Sequence, residues 1–196
     1  PRRVWSVNPD ANTVTVINAA TGAKEAEYAV GVNPRSIARD VNGRYWVTCF
    51  ASDEIRILNA DGTQHQTLAL EYGDGPFGIA PSPDGTLMYV TLYSAGRLHR
   101  YSVAAPGAPT HTTVSLITPL AIAVSGNGSR VLVTRFISAD MHAEVREFTA
   151  TLGSTRAFNL TAANTIDGGD RAAGVPNYLA GIAISPDGTR AAVVSK

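Results

Sequence analysis

An all-β fold built from four-stranded antiparallel units, the blades of a propeller, is predicted by three observations. The first is a recurring phrase. Ile79-Ala-Pro-Ser-Pro-Asp-Gly-Thr-Leu-Met-Tyr-Val-Thr91 returns over Ile182–Val194 and Ile122–Thr134, and one residue shorter over Ile37–Thr48. Each copy is an apolar run, an Asp-Gly or Asn-Gly pair and a second apolar run, which is the pattern of a β-hairpin. Gly accepts the positive φ of such a turn, and Asp or Asn tolerates it and bonds its own backbone. The second observation is spacing. The turn glycines Gly43, Gly85, Gly128 and Gly188 are separated by 42, 43 and 60 residues. Short strands repeating every 40–45 or so residues mark propeller blades. The third is that no segment of useful length carries the 3.6-residue period of a helix.

The strands of one unit are named A to D, with A before the Asp-Gly turn. Arg3–Val7 reads as a B strand with no A ahead of it, Thr13–Ile17 as C, and Glu25–Val30 as D. The second unit runs A over Ser36–Arg39, B over Tyr45–Phe50, C over Glu54–Leu58 and D over Gln66–Leu70, with a type I′ signal at Asp61-Gly62. The third runs Pro76–Ala80, Leu87–Tyr93, Arg97–Val103 and Thr112–Ile117. The fourth runs Pro119–Val124, Arg130–Phe136, Glu144–Phe148 and Thr155–Leu160. A last A–B hairpin occupies Ala180–Val194. The units are roughly residues 1–33, 34–75, 76–118, 119–177 and a partial 178–196, all in one propeller domain. The extra length before the last hairpin is polar and Gly-rich, and residues 161–177 read as an insertion loop, where function often resides.

Bulk properties narrow the function classes. The chain of 196 residues is 44% hydrophobic, enough for a core, and its 16 basic residues balance 16 acidic ones. That balance gives no electrostatic reason to expect nucleic acid or an anionic membrane as partner. No apolar run reaches the length of a membrane span. The single Cys49 excludes a disulfide or a CxxC site within this sequence and reads as a small core residue. About four blades' worth of strands are present, and the ends fall inside blades. The chain also opens at Pro1 without a Met. The expectation is a processed or partial propeller, completed by a further segment or a second chain, because open sheet edges are otherwise exposed.

Tyr89-Val-Thr-Leu92, preceded by Ser82-Pro-Asp-Gly85, resembles the YVTN family of propeller repeats. Trp5–Asn8, Trp46–Cys49, Leu132–Arg135 and Ala192–Ser195 fill the same slot, and Pro76-Phe-Gly-Ile-Ala80 fits that family's entry into the inner strand. The likeness spans nearly the whole chain outside 161–177. It implies a seven-bladed ring of which this chain would be part. Members include surface-layer and extracytoplasmic proteins, with lactonases and haem-d1 or copper-reductase propellers as relatives, and some are fused to c-type cytochromes. It carries no active-site motif that matches here residue by residue.

In such a blade the D–A and B–C loops share one rim of the channel. Arg35, Asp53, Phe77, Tyr93, Arg97, Leu120, Arg135, His142, Asn177 and Tyr178 fall there. Ligands favour the concavity where such loops converge. Arg35, Phe77, Tyr93 and Arg135 are the candidate ligand-binding residues, the arginines as bidentate clamps for an anion. No catalytic residue is assigned: there is no GxSxG, and the carboxylate pairs Asp53-Glu54 and Glu25/Glu27 sit in turns or on outer strands. No metal or cofactor is expected from the histidines, because His65, His99, His111 and His142 occupy unlike positions of the repeat. Asp167 and Asp170 offer at most a weak calcium site without EF-hand spacing.

Three functions stay open. The first is a non-catalytic, extracytoplasmic binding scaffold whose rim recognises a protein or surface polymer. The second is a lactonase-like hydrolase with convergent polar groups in the channel. The third is a propeller module accompanying a cytochrome or other redox domain.

Overall fold

The computed structural model describes residues 2–113, 115–139, 142–161 and 175–195. Most of the predicted insertion over 161–177, with Asp167 and Asp170, lies outside them. Among the described residues there are seventeen strands and no helix. They form five antiparallel sheets. The first contains β1 (Arg3–Asn8), β2 (Thr13–Asn18) and β3 (Lys24–Ala29) in that order. The second contains β4 (Pro34–Arg39), β5 (Tyr45–Cys49), β6 (Glu54–Leu58) and β7 (Gln64–Ala69). The third contains β8 (Pro76–Pro81), β9 (Leu87–Leu92), β10 (Arg97–Ser102) and β11 (His111–Thr113). The fourth contains β12 (Pro119–Val124), β13 (Arg130–Arg135), β14 (Ala143–Thr149) and β15 (Ser154–Leu160). The hairpin of β16 (Gly181–Ile184) and β17 (Ala191–Val194) is the fifth. The all-β prediction and its blade architecture hold.

Strand β11 is shorter than the D strand predicted through Ile117. Ser115 and Thr118 adopt φ of 66° and 43°, Leu116 is buried, and its amide donates to the Gly96 carbonyl at 2.9 Å. The apolar Leu116-Ile117 pair that suggested a longer strand thus belongs to a loop with one side chain in the core.

The B strands read as unbroken apolar runs because both of their faces are buried, and the alternation of side chains assigns each face to a different neighbour. Val47 and Cys49 of β5 pack with Val14 on the first sheet, while Trp46 points the other way. Trp46 joins Ile55, Ile57, Met88, Val90 and Leu92 between the second and third sheets. Tyr89 turns from that layer to Val131, Val133 and Phe148 on the fourth. Leu132 in turn meets Val145 and Leu179 towards the fifth. The sheets therefore stack face to face in chain order.

The Thr of the recurring phrase has a specific structural role. Thr48, Thr91 and Thr134 are fully buried. Thr91 Oγ1 accepts from the Gly78 amide of its own sheet at 2.8 Å and donates to the Leu120 carbonyl of the next at 2.8 Å. Thr48 joins Ser36 to Phe77 in the same way, and Thr134 joins Ala121 to Leu179. The carbonyls of Phe77 and Leu120 are free for this because β8 and β12 are bulged there, the register shifting between Pro76 and Ile79 and between Pro119 and Ile122. The close approach demands a small residue: a Cβ on Gly78 would lie 2.3 Å from the Leu120 oxygen.

The turns differ from the predicted I′ type. In the Ser82–Leu87 turn only Gly85 has positive φ, at 69°, while Asp84 does not. Asp84 instead acts through its carboxylate, which accepts from the Thr86 amide and from the hydroxyls of Ser82 and Thr86. Asn127 and Asp187 repeat the arrangement. At Asp61-Gly62 a type I turn with a bulge (Gly62 φ 85°) replaces the predicted I′ pair.

Candidate functional site

The inner strands β4, β8, β12 and β16 line a groove of about 260 Å³. Arg35, Phe77, Leu120 and Ala180 stand at equivalent places along it, next to the small residues Ser36, Gly78, Ala121 and Gly181. These small residues share the wall with Ile79, Ile122 and Ile182, so the groove is narrow and largely apolar. Its mouth is formed by the loops that enter the A strands and those that join B to C.

A recurrent clasp builds this mouth. The residue two places after each Thr of the phrase is aromatic: Phe50, Tyr93 and Phe136. Its amide donates to the carbonyl of the residue just before the inner strand of its own sheet, Phe50 to Asn33, Tyr93 to Gly75 and Phe136 to Thr118, at 2.9 to 3.0 Å. Those three acceptors all have left-handed backbone, with φ of 58°, 59° and 43°. For the β-branched Thr118 this is strained, at a cost on the order of 1–3 kcal/mol. Tyr178, just before Leu179, takes the same left-handed place at φ 52°. Asn177 fixes it by accepting from the Tyr178 amide and from the Ser138 amide of the B–C loop.

The clasps set five rings in a continuous row across four sheets. Phe50 and Phe77 have centroids 6.1 Å apart, Phe77 and Tyr93 6.0 Å, Tyr93 and Phe136 6.1 Å, and Phe136 and Tyr178 5.2 Å. The interplanar angles of 41° to 80° are the tilted and edge arrangements that aromatic pairs favour. The Arg35 guanidinium lies over both Phe50 and Phe77, 5.5 and 5.3 Å from their centroids. Around the row, Val32, Tyr72, Ile117, Ile137 and Tyr178 project from the loops as exposed apolar side chains. On the opposite rim the turns present Asp, Asn, Ser and Thr, and Val41 is the one exposed large apolar side chain among the described residues there.

Of the four residues expected to bind ligand, Arg35, Phe77 and Tyr93 come together in this row. Arg135 does not. Its Nε donates to the Ile137 carbonyl at 2.8 Å, and it lines a shallow crevice with Leu116, Ile117, Glu144 and Arg146, because β13 turns its side chain back towards the third sheet. Phe50 and Phe136 escaped the sequence reading, which took them as strand ends. The signal was the repeat register, which sets an aromatic two residues after Thr in three copies.

The other rim groups have structural partners. The Asp53 carboxylate accepts from the Gly73 and Gly75 amides. Arg97 pairs with Glu71 at 3.0 Å and lies 3.8 Å from Asp74, a buried carboxyl pushed up by desolvation. Leu120 is buried in the groove wall, and His142 closes a short bridge with Ala139. His99 is buried, its Nδ1 2.9 Å from the Tyr101 hydroxyl, and burial lowers its pKa to about 4. Burial pushes the Cys49 thiol up to about 11. Among the described residues no three His, Cys, Asp or Glu side chains converge to hold a metal ion, and no helix is long and apolar enough to cross a membrane.

Sheets of four antiparallel strands, stacked around inner strands that line a groove, define a β-propeller. No protein-family model matches the chain, and no curated protein matches it by sequence. Solved structures do match. Hydrazine synthase of Kuenenia stuttgartiensis superposes with a TM-score of 0.84 at 19% identity, over 98% of this chain and 52% of that one. Virginiamycin B lyase from Staphylococcus aureus superposes with a TM-score of 0.67 at 17% identity, over 95% of this chain and 57% of that one. The chain thus spans a little over half the length of each. With identities this low, the likeness speaks to fold alone.

Proposed function

We propose that this propeller, built from repeats of the YVTN kind and working outside the cytoplasm, is a non-catalytic binding module whose aromatic rim docks a partner protein. The observation that carries the reading is the continuous row Phe50–Phe77–Tyr93–Phe136–Tyr178, flanked by exposed apolar loop tips that are concentrated on this rim. Aromatic side chains and Arg are enriched where protein interfaces concentrate their binding energy, since they bury large areas at small entropic cost. Strained backbone at Thr118 supports the same reading, because such strain gathers at functional sites. A protein is favoured over a surface polymer by the scattered apolar tips, which suit a broad, uneven partner surface better than an extended chain.

The test is site-specific photocrosslinking in extract of the source cells. Benzoylphenylalanine at position 178 should yield discrete protein adducts that excess unlabelled protein competes away. Phe77→Ser with Tyr93→Ser should abolish them. The same probe at Val41, on the opposite rim, should yield none of them. Identical adducts from both rims would overturn the reading.

A further inference from the structure

We propose that Arg35 is the anion-reading group of this rim, and that the docked partner presents to it a glutamate or aspartate flanked by aromatic side chains. The inference rests on the docking role argued above and names the chemistry of what docks.

The argument begins with how the rim uses its arginines. Arg97 is neutralised by Glu71, and Arg135 is turned onto its own loop carbonyl. Arg35 is exposed and makes neither an ion pair nor a hydrogen bond among the described residues. Its position is nonetheless set by the faces of Phe50 and Phe77. A guanidinium stacked on rings keeps its in-plane N–H groups free, and that fork matches a carboxylate in bidentate fashion.

The neighbouring surfaces say what the carboxylate is attached to. Behind Arg35 opens the groove of about 260 Å³, walled by small residues such as Gly78 and Ala121 and by Ile79, Ile122 and Ile182. That volume takes a side chain or two but not a folded element. Beside it run Phe77 and Tyr93, whose ring faces suit flat apolar groups. An acidic side chain on a loop reaches the guanidinium while its aromatic neighbours lie along the row. A rim Arg of this kind supplies selectivity, because a neutral isostere leaves the desolvated cation without a partner.

The probes are two end-blocked pentapeptides, acetyl-Gly-Phe-Glu-Phe-Gly-amide and its Gln counterpart, titrated into the isotope-labelled protein and followed by amide chemical shifts. The Glu peptide should shift the Phe50, Phe77 and Tyr93 amides saturably and bind at least fivefold more tightly than the Gln peptide. The preference should shrink on raising the salt concentration. Arg35→Met should erase the preference while leaving the weaker Gln-peptide affinity in place, and Arg35→Lys should restore only part of it. Arg35 is exposed, so both variants should keep the wild-type spectrum elsewhere.

Equal binding of the two peptides on the row overturns the assignment of Arg35 and leaves the docking role standing. Binding of neither peptide overturns both. Phenylacetate shifting the same amides at tenfold lower concentration than the Glu peptide overturns the protein source of the carboxylate, by assigning the site to a free aromatic acid.

Discussion

His99 illustrates how burial alone retunes a side chain in this fold. It stands on β10 within the D–A loop's reach, and desolvation, reinforced by the nearby Arg97 cation, keeps its imidazole neutral down to about pH 4. In the unfolded chain the same group takes a proton near pH 6.5. The folded form's pKa is therefore the lower one, and the contribution to stability is complete above about pH 6.5. It is lost as the pH falls from there to about 4, because the unfolded state then binds the extra proton. Replacing His99 with Gln should flatten the pH dependence of stability across that window, as read from urea midpoints at pH 7, 6, 5 and 4.5. An unchanged slope would mean that the loss arises elsewhere. Asp84 and Asp187 are also held below the usual carboxylate range, chiefly by the serine hydroxyl ahead of each in its turn. Asn127 does the same structural work without titrating, so only the Asp-bearing turns carry an acid-sensitive contribution.

At the scale of the element, the B strand does two jobs. Its apolar residues join it to both neighbouring sheets, and its Thr ties two inner strands together. Thr91→Val keeps the shape and removes the hydroxyl, leaving the Leu120 carbonyl and the Gly78 amide without that partner in a buried site. The expected cost is about 1–3 kcal/mol by denaturant unfolding. Thr112→Val on the exposed β11 should change stability by no more than about 0.5 kcal/mol. Comparable losses from both would show that the bridge adds nothing beyond the side chain itself. The first sheet has Val7 in the slot of this Thr, and the last hairpin has Val194. The bridges therefore link the three four-stranded sheets to one another and to the entry of β16.

Over the whole molecule, the buried core and the exposed aromatic row are distributed differently. Buried side chains concentrate in the second, third and fourth sheets, whereas β16 and β17 are mostly half-buried or exposed. Native-state hydrogen exchange should therefore find the amides of β5, β9 and β13 the most protected and those of β17 the least among the paired strands. Equal protection in β17 and β9 would refute the idea that face-to-face packing holds this chain together. The aromatic surface is instead polarised by rim. Strands β5, β9 and β13 each deliver an aromatic to the same end, since the sheets repeat the same path, and the Asp-Gly or Asn-Gly turns that join A to B go to the other end. The row of rings follows from repetition of the blade rather than from any one segment.

The strand order and the face-to-face stack were legible in the sequence, because hydrophobic alternation and turn chemistry are local properties that repeat along the chain. Arg35, Phe77 and Tyr93 were legible as rim residues for the same reason. Tertiary structure decided the rest. It decided that Thr48, Thr91 and Thr134 bridge sheets, since a hydroxyl's second partner lies on another blade some 30 to 45 residues away. It turned Arg135 away from the aromatic row, because the pleat of β13 aims that side chain at the third sheet. It also gathered Phe50, Phe136 and Tyr178 into one row with Phe77 and Tyr93, an outcome that depends on face-to-face packing of neighbouring sheets, each with its B–C loop held by the left-handed residue ahead of its own inner strand, and that no single segment encodes.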